Sequence, residues 1–179
     1  MSHLSFLHDY AVPGKHFDPI KEGEKAMNSD NWTTRAIYAR QEYVTPEHLD
    51  RLLNDSNVWV VQHAADNPNI QSHHLDRMLD REPHIRARAA ASKNVSEKHL
   101  DKAINDETVS VRYNVASHNK ATPNQLQRAL GDTDRGVVLA AIYNKNTPTH
   151  MILPYKNSSD EVISRAASHR IWQDKERLS

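Results

Sequence analysis

An all-α chain, an α-solenoid of about five to six stacked two-helix repeats, is what this sequence predicts. Three observations carry that expectation. A leucine anchor recurs at Leu49, Leu75, Leu100 and Leu126 and continues at Met151, in steps of 26, 25, 26 and 25. A helix-start signal stands four residues before each anchor, at Thr45, Gln71, Ser96, Thr122 and Thr147. A second apolar pattern of small residues trails each anchor before the next copy begins.

The first helix of each unit is justified by its stripe and its start. Apolar residues three and four positions past the anchor (Leu52 and Leu53, Met78 and Leu79, Ala103 and Ile104, Ala129 and Leu130) complete an i, i+3, i+4 face. A Thr or Ser hydroxyl at the N-cap accepts from an orphan N–H, and Pro46, Pro123 and Pro148 stand where the missing N–H costs nothing.

The second helix is read from pairs four apart: Val60 with Ala64, Ile85 with Ala89, Val111 with Val115, Val137 with Ala141, Val162 with Ala166. Small residues there let neighbours approach closely. Asp55, Asp80, Asp106, Asp132 and Asp160 precede it and suit the positive end of a helix dipole. Asn67, Asn94, His118, Asn119, Asn144 and His169 close it, and Asn tolerates the left-handed conformation that ends a helix. A partial copy opens the series, with Arg35, Tyr38 and Ala39 before Thr45 standing as Arg112, Val115 and Ala116 stand before Thr122. Helices of about 10 residues are marginal alone in water, so they must stack.

The ends differ. Residues 1–20 match no copy and are expected to cap the apolar edge of the repeat domain, 21–170. Pro154 predicts a bent or shortened first helix in the last copy. Residues 171–179 read as a final turn and a frayed tail.

Thr-Pro before Leu-x-x-Leu-Leu, then Asp, then Val-Arg-x-x-Val-Ala, then Asn or His, resembles the leucine-rich-repeat variant family. Residues 44–67, 85–94 and 111–131 carry the likeness, which spans about four-fifths of the chain. The resemblance implies a right-handed superhelix related to HEAT-type repeats, with α- and 3-10-type helices alternating. The repeat here is longer than the family's usual one, which points to a full α-helix in the second position. The family's founding member binds an iron–sulfur cluster through cysteines, which a chain without Cys cannot reproduce.

Composition narrows function. The chain has 23 basic and 23 acidic residues, so it lacks the excess typical of nonspecific nucleic-acid binders. Without Cys there are no disulfides, thiolate metal sites or Cys nucleophiles. The N-terminus lacks the basic start and apolar core of a signal peptide, and no apolar run reaches the ~18 residues of a membrane span. A cytoplasmic location is the expectation.

Four side-chain sets invite a functional reading. His48, His74, His99 and His150, with Gln125 between, occupy the third helical position, where a capping box places a hydrogen-bonding side chain. Helices about 8–10 Å apart cannot focus such a row on one metal ion. Lys93, Lys120, Lys145 and Arg170, interleaved with Asn94, Asn119, Asn144, Asn146 and His118, form a ridge suited to phosphates or an acidic protein surface. Arg35, Arg86, Arg88, Arg112 and Arg165 either line a concave face or pair with acidic residues of the preceding turn. Trp32, Trp59 and Trp172 either pack or stack on bases.

No catalytic motif, cofactor site or metal site is assigned. The expected function is a non-enzymatic module that docks another protein on a curved repeat surface. Candidate binding residues are Arg86, Arg88, Lys93, Arg112, His118, Lys120, Lys145 and Arg165. The alternative is a phosphate-backbone binder using the Lys/Arg ridge on nucleic acid. A third reading is a DNA-lesion enzyme of the helical-repeat glycosylase type, built on Trp32, Trp59 and a nearby Asp.

Overall fold

Among the described residues, 18–177 of this computed structural model, every regular element is a helix. They form six pairs: α1 (Pro19–Met27) with α2 (Trp32–Ala39), α3 (Pro46–Leu52) with α4 (Val58–Ala65), α5 (Ser72–Met78) with α6 (Pro83–Ala91), α7 (Glu97–Ala103) with α8 (Val109–Ser117), α9 (Pro123–Leu130) with α10 (Arg135–Tyr143), and α11 (Thr149–Ile152) with α12 (Glu161–Glu176). Residues 1–17, most of the expected N-terminal cap, lie outside the described residues. No described helix is long and apolar enough to cross a membrane.

The chain makes two compact units that divide between Asn69 and Ile70. Each is a stretch of α-solenoid. In the first, α2 packs on α4, while α1 lies against both α2 and α3. In the second, α6, α8, α10 and α12 stack in series, with α5, α7, α9 and α11 flanking them. The stacking row carries the small residues. Val111, Val115 and Ala116 of α8 and Val137, Ala141 and Ile142 of α10 are wholly buried. Every second helix is α-helical, as the repeat length implied.

Local chemistry starts the first helices. The Thr45 hydroxyl accepts from His48 N at 3.2 Å and the Thr122 hydroxyl from Gln125 N at 3.4 Å, with Pro46 and Pro123 leading each helix. One residue earlier stands a buried side chain that the sequence reading passed over: Val44, Ile70, Val95 and Ala121. It occupies the N′ position of a hydrophobic staple whose N4 partner is the anchor leucine. The anchors Leu49, Leu75, Leu100 and Leu126 are at most 1% exposed.

The last copy is shifted by one residue from its sequence reading. Ile152, not Met151, is the buried anchor, and Met151 is only half-buried. Val162 is exposed, while Ile163 and Ala167 turn inward. The cause is Thr147. Its hydroxyl donates to Ala141 O at 2.5 Å instead of capping, and Pro148 takes the N-cap place. The Pro154 expectation holds: α11 is four residues long and gives way to a 3-10 helix, Leu153–Asn157. The expected turn and tail from residue 171 is instead the last part of α12, which runs to Glu176.

In the first unit Gly23 of α1 is buried where a side-chain carbon would collide with the Tyr38 hydroxyl and the His48 ring. Gly23→Ala is expected to lower the unfolding free energy by about 1–3 kcal/mol, read from the urea midpoint.

Candidate functional site

The arginines at the start of the second helices are fasteners between copies. Arg35, Arg86 and Arg112 each place Nε and Nη2 on the two oxygens of an aspartate 20 residues on. The partners are Asp55 (2.5 and 3.0 Å), Asp106 (2.7 and 3.0 Å) and Asp132 (2.6 and 3.0 Å). Nη1 donates to a carbonyl of the preceding turn: Ser29, Arg81 or Asp106. Each aspartate also accepts a backbone N–H two residues ahead, from Asn57, Thr108 or Asp134. The aspartates therefore serve the arginine fork and a tight turn, and lie two residues before the true N-caps Asn57, Thr108 and Asp134 rather than on the helix end. The pairing runs to the following copy's turn, not to the preceding one. Burial pulls the Asp55 and Asp106 carboxyls up, but the arginine and amide bonds outweigh it and hold both below the usual range. At Asp132 the Arg112 bond dominates, with the same result. In α10 the arginine position is Val138 and residue 158 is Ser, so both halves of the pair are absent together.

The turns after the second helices carry the other fastener. Asn67 Nδ2 donates to Ala39 O and Gln41 O, and Asn69 Nδ2 to Glu42 O and Val44 O. In the second unit Asn144 Nδ2 donates to Ala116 O at 2.8 Å and His118 O at 2.9 Å, and Asn146 Nδ2 to Asn119 O and Ala121 O. His118 and Lys120 do the same work: Nε2 donates to Ser92 O at 3.2 Å, and Nζ to Lys93 O at 2.6 Å and Val95 O at 3.1 Å. His118 and Asn144 do not adopt the left-handed conformation expected of them. His118 and Asn144 have φ of -71° and -66°, extended backbone that turns the side chain onto the previous copy. His169 lies inside α12.

His118 Nδ1 accepts from Lys120 N at 3.1 Å, so both ring nitrogens are engaged by the neutral ring. Burial, aided by the Lys120 charge, pulls the imidazole's pKa down against the Ser92 bond. The unfolded chain, titrating near 6.5, then takes up the proton first. The contribution is fully present above about 6.5 and is lost as pH falls toward the lower folded value. His118→Asn is expected to flatten this acid-side loss, measured as the difference in unfolding free energy between the two proteins from pH 7.5 to 5.

Within the histidine column, His74, His99 and the Gln125 that fills its gap form buried capping boxes. His74 Nδ1 accepts from Gln71 N and His99 Nδ1 from Ser96 N, at 2.9 and 3.0 Å. Gln125 Oε1 accepts from Thr122 N while Nε2 reaches Glu97 O and Asp101 of the previous copy. His150 is exposed, as the one-residue shift requires. In the first unit His48 joins the Tyr38 hydroxyl at Nδ1 (2.5 Å) to Glu24 at Nε2 (3.2 Å). That chain imitates a hydrolytic triad, but Tyr38 is 3% exposed and burial pushes its phenol up to about 12. It fastens α1, α2 and α3 together.

The remaining sequence candidates scatter. Arg88 is half-buried on α6. Arg165 is exposed and pairs with Glu161 one turn earlier. Lys93 and Lys145 are exposed, and Lys93 lines a polar hollow of about 360 Å³ with Asn114, Ser117, His118 and Asn119. Arg170 is buried and paired with Asp174 at 3.3 Å, so it does not extend a ridge.

The tryptophans stand at the surface. Trp32 and Trp59 are 42% and 51% exposed and share a groove of about 260 Å³ between α2 and α4 with Thr33, Ala36, Ile37, Arg40 and His63. Among the described residues no carboxylate lines it, whereas the lesion-enzyme reading called for an Asp beside the indoles. Ile37, Arg40 and His63 were not singled out in the sequence, although the i, i+4, i+8 spacing of Trp32, Ala36 and Arg40 marks one helix face.

No protein-family model matches this chain, and no curated protein does. Among solved structures it is similar to one described as a leucine-rich repeat variant with a novel repetitive protein structural motif. The two share 20% sequence identity with a TM-score of 0.47, over 86% of this chain and 72% of that one.

Proposed function

We propose that this chain is a non-enzymatic helical-repeat module that binds another protein through the outward face of its second helices. One observation supports this above the rest. Large apolar side chains stand in water along those helices: Trp32, Ile37, Val58 and Trp59 in the first unit, and Val109, Tyr113, Tyr143 and Trp172 in the second, each between 38% and 58% exposed. Arg35, Arg86, Arg112, His118 and Lys120, by contrast, are spent on bonds between copies. Aromatic side chains are the type that anchors protein interfaces. The phosphate reading is left with Lys93 and Lys145 as its ridge, too few for the several contacts that make backbone binding strong.

A photo-reactive amino acid placed at Val109 tests the proposal in the native host's lysate. The expected result is a protein adduct that survives nuclease and moderate salt and is lost in a Tyr113→Ser/Tyr143→Ser double variant. Adducts abolished by nuclease, with retention on DNA that falls steeply with salt, would favour the phosphate reading instead.

A further inference from the structure

We propose that the groove between α2 and α4 is a peptide-docking site for an acidic segment bearing one bulky apolar anchor, with the anchor against Trp32 and Trp59 and the carboxylate on Arg40. The proposal deepens the protein-binding reading and rests on it.

The floor and walls are apolar. Ala36 is buried beneath, and Ile37 and the two indoles rise around it, each more than a third exposed. Water against so much aromatic surface is displaced favourably by an aliphatic or aromatic side chain. The groove's volume of about 260 Å³ is on the scale of a side chain, below the ~300–1,000 Å³ usual for whole small-molecule ligands. That favours one anchoring residue of a longer chain.

Charge supplies the second half. Arg40, at the C-terminal end of α2, is the one permanent cation that the described residues bring to the lining. Arg35, one turn back, is held by Asp55 and Ser29 O. The Arg40 side chain makes no hydrogen bond or ion pair among the described residues, and its fork is free for a carboxylate. Asp66 caps the end of α4 and sets a negative charge near His63, so a ligand's acid is favoured at Arg40 over that end. A nucleic-acid strand would place a base on the indoles and a phosphate on Arg40, but a strand needs a basic track and the described residues give the lining one permanent cation.

The test pans a random dodecapeptide display library against the full chain and against Trp59→Ser and Arg40→Glu variants. Both positions are exposed, and circular dichroism with a urea midpoint checks that each variant folds. The expected sequences carry Phe, Trp, Leu or Ile with Asp or Glu within about four residues. Trp59→Ser should weaken a synthetic winner by about ten-fold or more, and Arg40→Glu should switch the enriched charge to Lys or Arg. Winners without an acidic preference, or winners bound equally by both variants, overturn the groove. If those winners are instead lost in Tyr113→Ser/Tyr143→Ser, protein binding stands at another place. An absence of any enrichment overturns both readings, as does Trp59-dependent binding of a dT12 oligonucleotide with no peptide bound.

Discussion

Asn144→Ala is expected to lower the unfolding free energy by about 3 kcal/mol or more, because one small amide serves three backbone groups. Its Nδ2 donates to Ala116 O and His118 O, and its Oδ1 accepts from Asn146 N at 2.9 Å. The residue is 7% exposed, so water cannot replace what truncation removes. Each buried group left without a partner costs about 1–3 kcal/mol. Asn144→Asp should be worse than Ala in one respect, since it aims a carboxylate at two carbonyl oxygens. Asn144→His should recover part of the loss, because His118 does the matching task one copy earlier. Urea unfolding of the three variants at constant pH gives the order, with His the most stable.

Arg112→Ala is expected to cost about 2–3 kcal/mol, less than the ~3–5 kcal/mol for breaking a fully buried pair, because the partners retain some water. Side-chain exposure is 15% for Arg112 and 8% for Asp132. Removing the arginine strands the Asp132 carboxylate and frees Asp106 O and Glu107 O. Arg112→Lys should recover little, since an ammonium cannot span both oxygens of Asp132 and also reach the turn. In a double-mutant cycle with Asp132→Ala, the coupling should be about 1–2 kcal/mol. Coupling near zero would mean that the pair is incidental to the stack.

The parts of this fold legible in the sequence are those that depend on local chemistry repeated at a fixed period. Leu49, Leu75, Leu100 and Leu126 could be found by counting, and Thr45-Pro46 and Thr122-Pro123 declare helix starts by their own bonding. The same signal misled at Thr147-Pro148. The dipeptide imitates a cap and first turn, but the hydroxyl turns back to Ala141 O. A step of 26 from Leu126 reaches Ile152, so the period was the better guide there. The arginine pairs show a different limit. Arg35 and Asp55, Arg86 and Asp106, Arg112 and Asp132 share a constant separation of 20, yet which turn each arginine meets depends on how copies pack. The candidate groove was half visible. Trp32 and Trp59 stood out by type and Arg40 shares a helix face with Trp32 by its spacing, whereas Trp59 and His63 join them only because α2 and α4 lie side by side.

The central claim is that polar residues at equivalent places are interchangeable fasteners between copies, leaving the outward face free to bind. Its most direct test is the double variant His118→Asn/Lys120→Asn, which writes the Asn144/Asn146 turn into the preceding copy. Urea unfolding at pH 7.5 should place its stability within about 1 kcal/mol of the parent, the scatter of ordinary surface substitutions. A loss as large as that of Asn144→Ala would contradict the account, for it would show that these turns are individually fitted and not copies of one device.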